Sequence, residues 1–264
     1  MKILMIGDIV GGPGRRITRQ ALPRVFAEHD IDYCVANAEN AAGGFGVTRD
    51  VFRSIDELPI DCYTSGNHIW DKREVEELLA EEPRLLRPAN YSPGPEGART
   101  PGGRYYLGAT AAGVPVAVFN LEGRVFMKDV DSPFLVADEL LAEIVGQAKI
   151  IVVDVHAETT SEKQAMGFYL DGRVSAVLGT HTHVPTADER ILPEGTAFQT
   201  DVGMTGPYES VIGMRHDKVL ERFLTQRPRP FEVAKRDVRL AAAVVEVDEK
   251  SGKARSIERV LVAE

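Results

Sequence analysis

The chain has 264 residues, a length that suits one large α/β domain, with the 44% hydrophobic and 27% charged residues of an ordinary soluble globular protein. Its net charge of -9 excludes a general, stable polynucleotide binder, which needs a basic face to displace counterions, but permits a small anionic substrate because bound cations reverse the local field. No apolar run is long enough to span a membrane.

Met1-Lys2-Ile3-Leu4-Met5-Ile6-Gly7-Asp8 reads as a first strand rather than a secretion signal, and Cys34 and Cys62 each sit in an apolar run as free buried thiols, so a cytoplasmic address is expected. The strand runs over 2–9, followed by a Gly11-Gly12-Pro13-Gly14 turn and a helix over 15–28. A second strand covers 32–38, and a glycine-rich loop, Gly43-Gly44-Phe45-Gly46, leads to a helix starting near Thr48, whose hydroxyl fits an N-cap. A strand over 61–65 and a helix over 71–80 complete a βαβα order, the pattern of a largely parallel sheet covered by helices. The stretch 88–103, rich in Pro and Gly, reads as a surface loop. Strands over 104–111 and 114–121 form an antiparallel hairpin about Ala112-Gly113. A helix over 132–145 follows, with Ser132 as cap and Pro133 in its first turn, then a very apolar strand over 149–155 and a helix over 161–170. The run Ser175-Ala176-Val177-Leu178 enters Gly179-Thr180-His181-Thr182-His183, where an extended chain would put both histidines on one side. A hairpin of 190–192 with 196–200, a short helix over 219–224 and a closing hairpin of 240–247 with 256–262 end the chain. Parallel pairs combined with hairpins predict α/β architecture with two mixed sheets face to face and helices outside, all in one domain spanning 1–264.

The polar residues that interrupt these strands share a position. Asp8 ends the first, Glu39 and Asn40 the second, Asn67 and His68 the third, His156 the strand over 149–155, and His181 and His183 the next. Ligand sites of open α/β sheets lie beyond the carboxyl ends of the strands. Taken singly, Asp8, Glu39 and Asn40 read more readily as caps or turn formers, His68 beside Asn67 as a turn stabiliser and His156 as a satisfied histidine at a sheet edge. Together, a buried cluster of carboxylate, carboxamide and imidazole is best neutralised by cations. Asp8, Glu39, Asn40, Asn67, His156, His181 and His183 are more donors than one tetrahedral site uses. Two ions about 3.5–4 Å apart, with Glu39 as the bridging carboxylate, accommodate them. Nitrogen and oxygen donors without thiolate favour iron, manganese or zinc.

At these residues a resemblance becomes clear. Gly66-Asn67-His68 is similar to the Gly-Asn-His signature of the calcineurin-like metallophosphoesterases, and Gly179-Thr180-His181-Thr182-His183 resembles their late Gly-His-x-His pair. More narrowly, Gly7-Asp8-Ile9-Val10-Gly11, Ala38-Glu39-Asn40-Ala41, Gly66-Asn67-His68-Ile69-Trp70-Asp71 and Asp201-Val202-Gly203-Met204-Thr205-Gly206 resemble the YmdB family of bacterial phosphodiesterases. The broad superfamily's Asp-x-His lacks its histidine here, and its bridging Asp is replaced by Glu39, with Asn40 beside it. The resemblance implies a four-layer α/β/β/α sandwich and two transition-metal ions, iron foremost. It implies hydrolysis of cyclic nucleotides, notably 2′,3′-cyclic ones, by water activated at the metals. Carried over by position, Asp8, Asn40 and His183 would hold one ion, Asn67, His156 and His181 the other, with Glu39 between them and His68 as the acid.

Substrate contacts are less legible. Phe45 is a candidate to stack on a base, and Thr205 and Gly206, within Gly203-Met204-Thr205-Gly206-Pro207, are candidates to border the pocket; plain loops explain both stretches as well. Gly11-Gly12-Pro13-Gly14 lacks the spacing and lysine of a nucleotide-triphosphate loop, and no Gly-x-Ser-x-Gly nucleophile motif occurs. The partner expected is a small cyclic nucleotide, and a homo-oligomer is allowed. The rival readings are a phosphomonoesterase or protein phosphatase on the same metals, and a non-catalytic nucleotide-sensing regulator.

Overall fold

The first sheet grows around the N-terminal strand. In the computed structural model, which describes residues 1–95 and 100–264, β1 (Lys2–Ile6) lies between the parallel strand β3 (Tyr33–Asn37) and an antiparallel C-terminal strand. The expected strand over 2–9 is broken at Gly7: β2 (Asp8–Ile9) leaves the main ladder to pair with β11 (Met204–Pro207). Only glycine fits at the break, since a Cβ on residue 7 would stand 1.9 Å from the carbonyl oxygen of Gly203. The expected turn at 11–14 is instead the first turn of α1 (Gly11–His29). Gly14 donates its N–H to the Val10 carbonyl at 3.0 Å, and a Cβ there would meet the Thr205 carbonyl at 2.4 Å, so glycine lets the helix lie flat on β11.

α2 (Arg49–Asp56) starts at Thr48, whose hydroxyl accepts from the Val51 N–H at 3.3 Å. The strand β4 (Cys62–Thr64) follows in parallel with β3. The helix expected over 71–80 is split into a single 3-10 turn, Ile69–Asp71, and α3 (Val75–Glu81). Of the loop expected over 88–103, residues 96–99 lie outside the described residues, and its start is not a surface loop: Ala89, Asn90 and Tyr91 are buried. The Asn90 side chain is spent there on the Glu122 and Asp131 carbonyls, at 2.8 and 3.0 Å.

The hairpin of β5 (Tyr105–Ala109) and β6 (Pro115–Glu122) opens the second sheet. β7 (Ile150–His156), β8 (Ala176–Thr180) and β10 (Ala197–Gln199) then add in parallel, with the short β9 (Arg190–Ile191) antiparallel at the edge. α4 (Pro133–Ile144) begins with Pro133 in its first turn, but the Ser132 side chain makes no capping bond. α5 (Thr160–Leu170) connects β7 to β8, and α6 (His216–Thr225) is longer than the helix expected over 219–224. The closing hairpin, β12 (Val238–Val247) and β13 (Ala254–Ala263), completes a first sheet ordered β2-β11-β12-β1-β3-β4, with β13 on β12. The fold is therefore α/β with two mixed sheets.

Alternation along the strands divides the core. Leu4, Ile6, Cys34 and Ala36 pack with Ile17, Leu22 and Phe52 of α1 and α2. The residues between them in sequence, Ile3, Met5 and Val35, pack with Val116, Val118, Ile150, Val152 and Leu178 of the second sheet. Phe119, Val153 and Val177 face Val136, Leu140, Met166 and Leu170 of α4 and α5. Burying a side chain of this kind contributes roughly 1.5–3 kcal/mol. With both sheets covered, their polar strand ends are left as the place where chemistry can collect.

Candidate metal centre

A polar seam joins the two sheets below the rim. Asp154 of β7 accepts hydrogen bonds from Thr180 at 2.7 Å, Thr64 at 2.5 Å and Asn37 at 3.0 Å, and burial pushes its carboxyl above the usual range. Thr180, donating to Asp154, presents its hydroxyl lone pair to His156 Nδ1 at 2.9 Å. In the neutral ring that contact places the His156 proton on Nδ1 and so leaves Nε2 as the nitrogen able to give up its proton to a cation, the arrangement a metal-ligating histidine requires.

Above the seam, residues from several strand ends meet. His156 Nε2 has Asn67 Oδ1 at 2.9 Å, and Glu39 Oε1 and His181 Nδ1 both at 3.1 Å. One ring nitrogen cannot hydrogen-bond all three. Glu39, His156 and His181 each offer a ligand atom, and these atoms lie within 4.8 Å of one another. Beside them, Asp8 Oδ1 is 4.0 Å from both His156 Nδ1 and His183 Nε2, and the Asn40 amide nitrogen is 3.0 Å from His183 Nε2. Asp8 Oδ1, Glu39 Oε1 and Asn40 Oδ1 are all buried without a hydrogen-bond partner. Such atoms cost roughly 1–3 kcal/mol each, more when charged, unless something pairs them. A cluster of orphaned oxygens facing imidazole nitrogens fits cations in both number and type of donor.

The protein's own charges shift one another in this crowd. Burial raises the Asp8 carboxyl to about 6 despite His183 and His156. Burial acts on Glu39 in the same direction, but the His156 imidazole in contact with it prevails and holds it at about 2. Burial opposes a charge on His156, yet Glu39 overcomes it and raises the ring to about 9, whereas His181 is lowered to about 3 by burial and by His156.

His181 and His183 do not lie on a strand, contrary to the reading from alternation. β8 ends at Thr180, and both histidines adopt left-handed backbone conformations, with φ +93° and +66°. Such conformations in non-glycine residues persist where surroundings enforce them. Here the His181 N–H donates to Asp8 at 3.2 Å, and the N–H and hydroxyl of Thr182 donate to Asp201 at 3.2 and 2.8 Å. His183 Nδ1 reaches the Ile212 carbonyl at 2.9 Å. Asp201 in turn accepts from the buried Lys163 at 2.6 Å. Lys163, Asp154, Thr180 and Glu158 (3.0 Å from His181 Nε2) support the site without standing out in the sequence. Asp154 inside the otherwise apolar β7 was the available signal; Lys163, among the polar residues that open α5, gave none.

His68 stands outside the cluster. Its backbone N–H donates to Glu39 at 3.1 Å, its Nδ1 is 2.8 Å from Asp71, and the Phe45 ring meets it edge-on at 4.9 Å. Phe45 and His68 line a cavity of about 440 Å³ over the cluster. Thr205 and Gly206 do not: they are strand residues of β11, with the Thr205 hydroxyl held by Ala241 at 3.1 Å. The sheet needs their backbone groups, so none is free to border a pocket.

A sequence model of the YmdB-like protein family matches residues 4–260. The 2′,3′-cyclic-nucleotide 2′-phosphodiesterase of Bacillus subtilis (strain 168) is 47% identical over 99% of this chain and 97% of its own. The crystal structure of a hypothetical protein from Thermus thermophilus superposes with TM-score 0.91 at 43% identity, covering 100% of both chains. That of a phosphatase from Mycoplasma pneumoniae superposes with TM-score 0.92 at 32% identity, covering 100% of this chain and 93% of the other. With a match of this extent along the sequence and throughout the fold, the chain belongs to the YmdB-like family.

Proposed function

We propose that this protein is a metal-dependent phosphodiesterase that opens 2′,3′-cyclic nucleotides, on a four-layer α/β/β/α sandwich of the calcineurin-like kind. The three separate apolar clusters, one between the sheets and one under the helices on each side, support that layering. The observation that carries the function is the set of buried, unpartnered oxygens of Asp8, Glu39 and Asn40 facing His156 and His183. The name of the Bacillus subtilis relative supplies the substrate class.

Asp8, Asn40 and His183 are suited to hold one cation and Asn67, His156 and His181 the other, with Glu39 between them. Their donor set favours iron, then manganese or zinc. When bound, the ions supply Lewis acidity at the phosphoryl oxygens and a water acidified toward neutrality. Asp71 fixes the His68 ring through Nδ1, leaving Nε2 to deliver a proton to the departing ribose oxygen. The relative's name specifies the 2′ bond, so the oxygen protonated is O2′ and the product a nucleoside 3′-phosphate. A five-membered cyclic phosphate needs no long groove, in keeping with an acidic protein.

The test is His68→Ala with metal content measured alongside turnover of 2′,3′-cyclic AMP. A fall in kcat of about 100- to 10,000-fold with both metals retained is expected of a lost general acid. Near wild-type turnover removes His68 from the chemistry, and faster hydrolysis of simple monoesters than of the cyclic diester overturns the substrate class.

A further inference from the structure

The cavity over the cluster has two kinds of lining. Glu39, Asn40, His68, Glu158 and the 181–183 segment make it polar and charged where the strands end; the opposite wall includes Phe45, Ile212, Met214, Phe223 and Phe231. These apolar groups come from separate segments packed into one wall. The Phe45 and Phe231 ring centres are 6.0 Å apart, and the Arg222 guanidinium stacks on Phe231 at 4.9 Å. Gly44, at φ +96°, lets Met214 close against the Phe45 loop, where a Cβ would stand 2.6 Å from the Met214 methyl.

None of these side chains carries a group that could read the edge of a base. Much of the backbone of the 211–214 turn is already engaged: Val211 and Met214 exchange N–H···O bonds at 2.9 and 3.0 Å, the Ile212 carbonyl accepts from His183, and the Gly213 carbonyl accepts from Ala234 at 2.9 Å. Yet the wall leaves aromatic surface uncovered beside a charged site, with Phe223 71% and Phe231 43% exposed. A flat, apolar-faced ring is what such a surface takes up, and stacking of a base on an aromatic side chain contributes roughly 1–3 kcal/mol.

We propose that this wall is the nucleobase subsite of the enzyme and that it is blind to base identity, holding the base of a 2′,3′-cyclic nucleotide by stacking and burial alone. The inference rests on the phosphodiesterase reading above. Its consequence is an enzyme that accepts all four cyclic nucleotides and ranks them by ring area, not by hydrogen-bonding edge.

The experiment measures kcat/KM of the metal-loaded protein on the four 2′,3′-cyclic nucleotides and on ribose 2′,3′-cyclic phosphate, which has no base. Adenine and guanine should agree within about fivefold, as should cytosine and uracil, and the base-free compound should fall about 5- to 150-fold below the purines, the range that stacking supplies. In the double variant Phe223→Ala/Phe231→Ala that gap should narrow, through KM. Leu224→Ala, on the same helix and 83% exposed but outside the lining, should leave the gap unchanged. A larger difference within either equal-sized pair overturns base blindness, and an undiminished gap in the folded double variant overturns the assignment of the wall. Absence of turnover on every cyclic substrate would instead refute the phosphodiesterase reading itself.

Discussion

At His156, one imidazole nitrogen faces three polar partners, and the place exists only because residue 66 is glycine. A Cβ there would stand 2.1 Å from the His156 ring. Gly66→Ala is therefore expected to displace the ring, at a cost of about 1–3 kcal/mol for overpacking, and to lower metal content, as elemental analysis of the purified variant will measure. In the proposed mechanism Asp71, 2.8 Å from His68 Nδ1, acts through His68 rather than on substrate. Asp71→Asn should lower kcat about 10- to 100-fold while metal content stays at the wild-type value; an accompanying loss of metal would mean that the 69–71 turn supports the cluster and not the acid. Cys34 and Cys62 play no part in this chemistry. Burial pushes both thiols well above their ordinary range, so neither should react with a thiol reagent until the protein is unfolded.

Among the elements, the segment after β8 shows how the fold enforces an unfavourable local conformation. Two left-handed histidines, with a single threonine between them, are held because Asp201 grips Thr182 from below and Lys163 of α5 neutralises Asp201. Lys163→Ala leaves a buried carboxylate without its cation. A loss of about 3–5 kcal/mol in unfolding free energy is expected by chemical denaturation, larger than the cost of any surface ion pair in this chain. β11 makes the same point differently. Gly-Pro composition marks Met204–Pro207 as loop, yet its bonds to β2 and β12 make it a strand, and so Thr205 and Gly206 lie inside the sheet instead of at the pocket.

For the molecule as a whole, the cluster at the strand ends is a source of instability that a bound cation would remove. Burial raises the Asp8 carboxyl from 3.8 to about 6, so between those values Asp8 holds its proton more tightly in the folded, metal-free protein than in the unfolded chain, and its own contribution to stability falls as pH rises, against the opposite contribution of the lowered His181. In the proposed site a cation would take the place of that proton. The rise in Tm on adding metal should accordingly grow as pH is raised through about 6, and chelation at neutral pH should lower Tm; ligand at 1,000 times its Kd contributes about 4 kcal/mol. Thermal melts with and without chelator across that range would check the sign. A metal effect that shrinks with rising pH would show that Asp8 is not among the ligands.

What the chain determined by itself was the alternation of strands and helices, the two cysteines as buried thiols, and the polar residues that stop each apolar run, because both burial and its interruption are written locally in side-chain type. Glu39, His156 and the two late histidines could be read as one cluster since parallel strands must all end at the same rim. Only the tertiary structure decided that Gly7 divides the first strand, that the glycines after it start a helix, and that His181 and His183 reach the cluster through left-handed bends and not strand alternation. It alone brought Phe223 and Phe231 over the rim. Each of these depends on contacts between segments far apart in sequence, a carbonyl under a missing Cβ or a lysine against a distant aspartate, and no local pattern encodes which distant atom will be there.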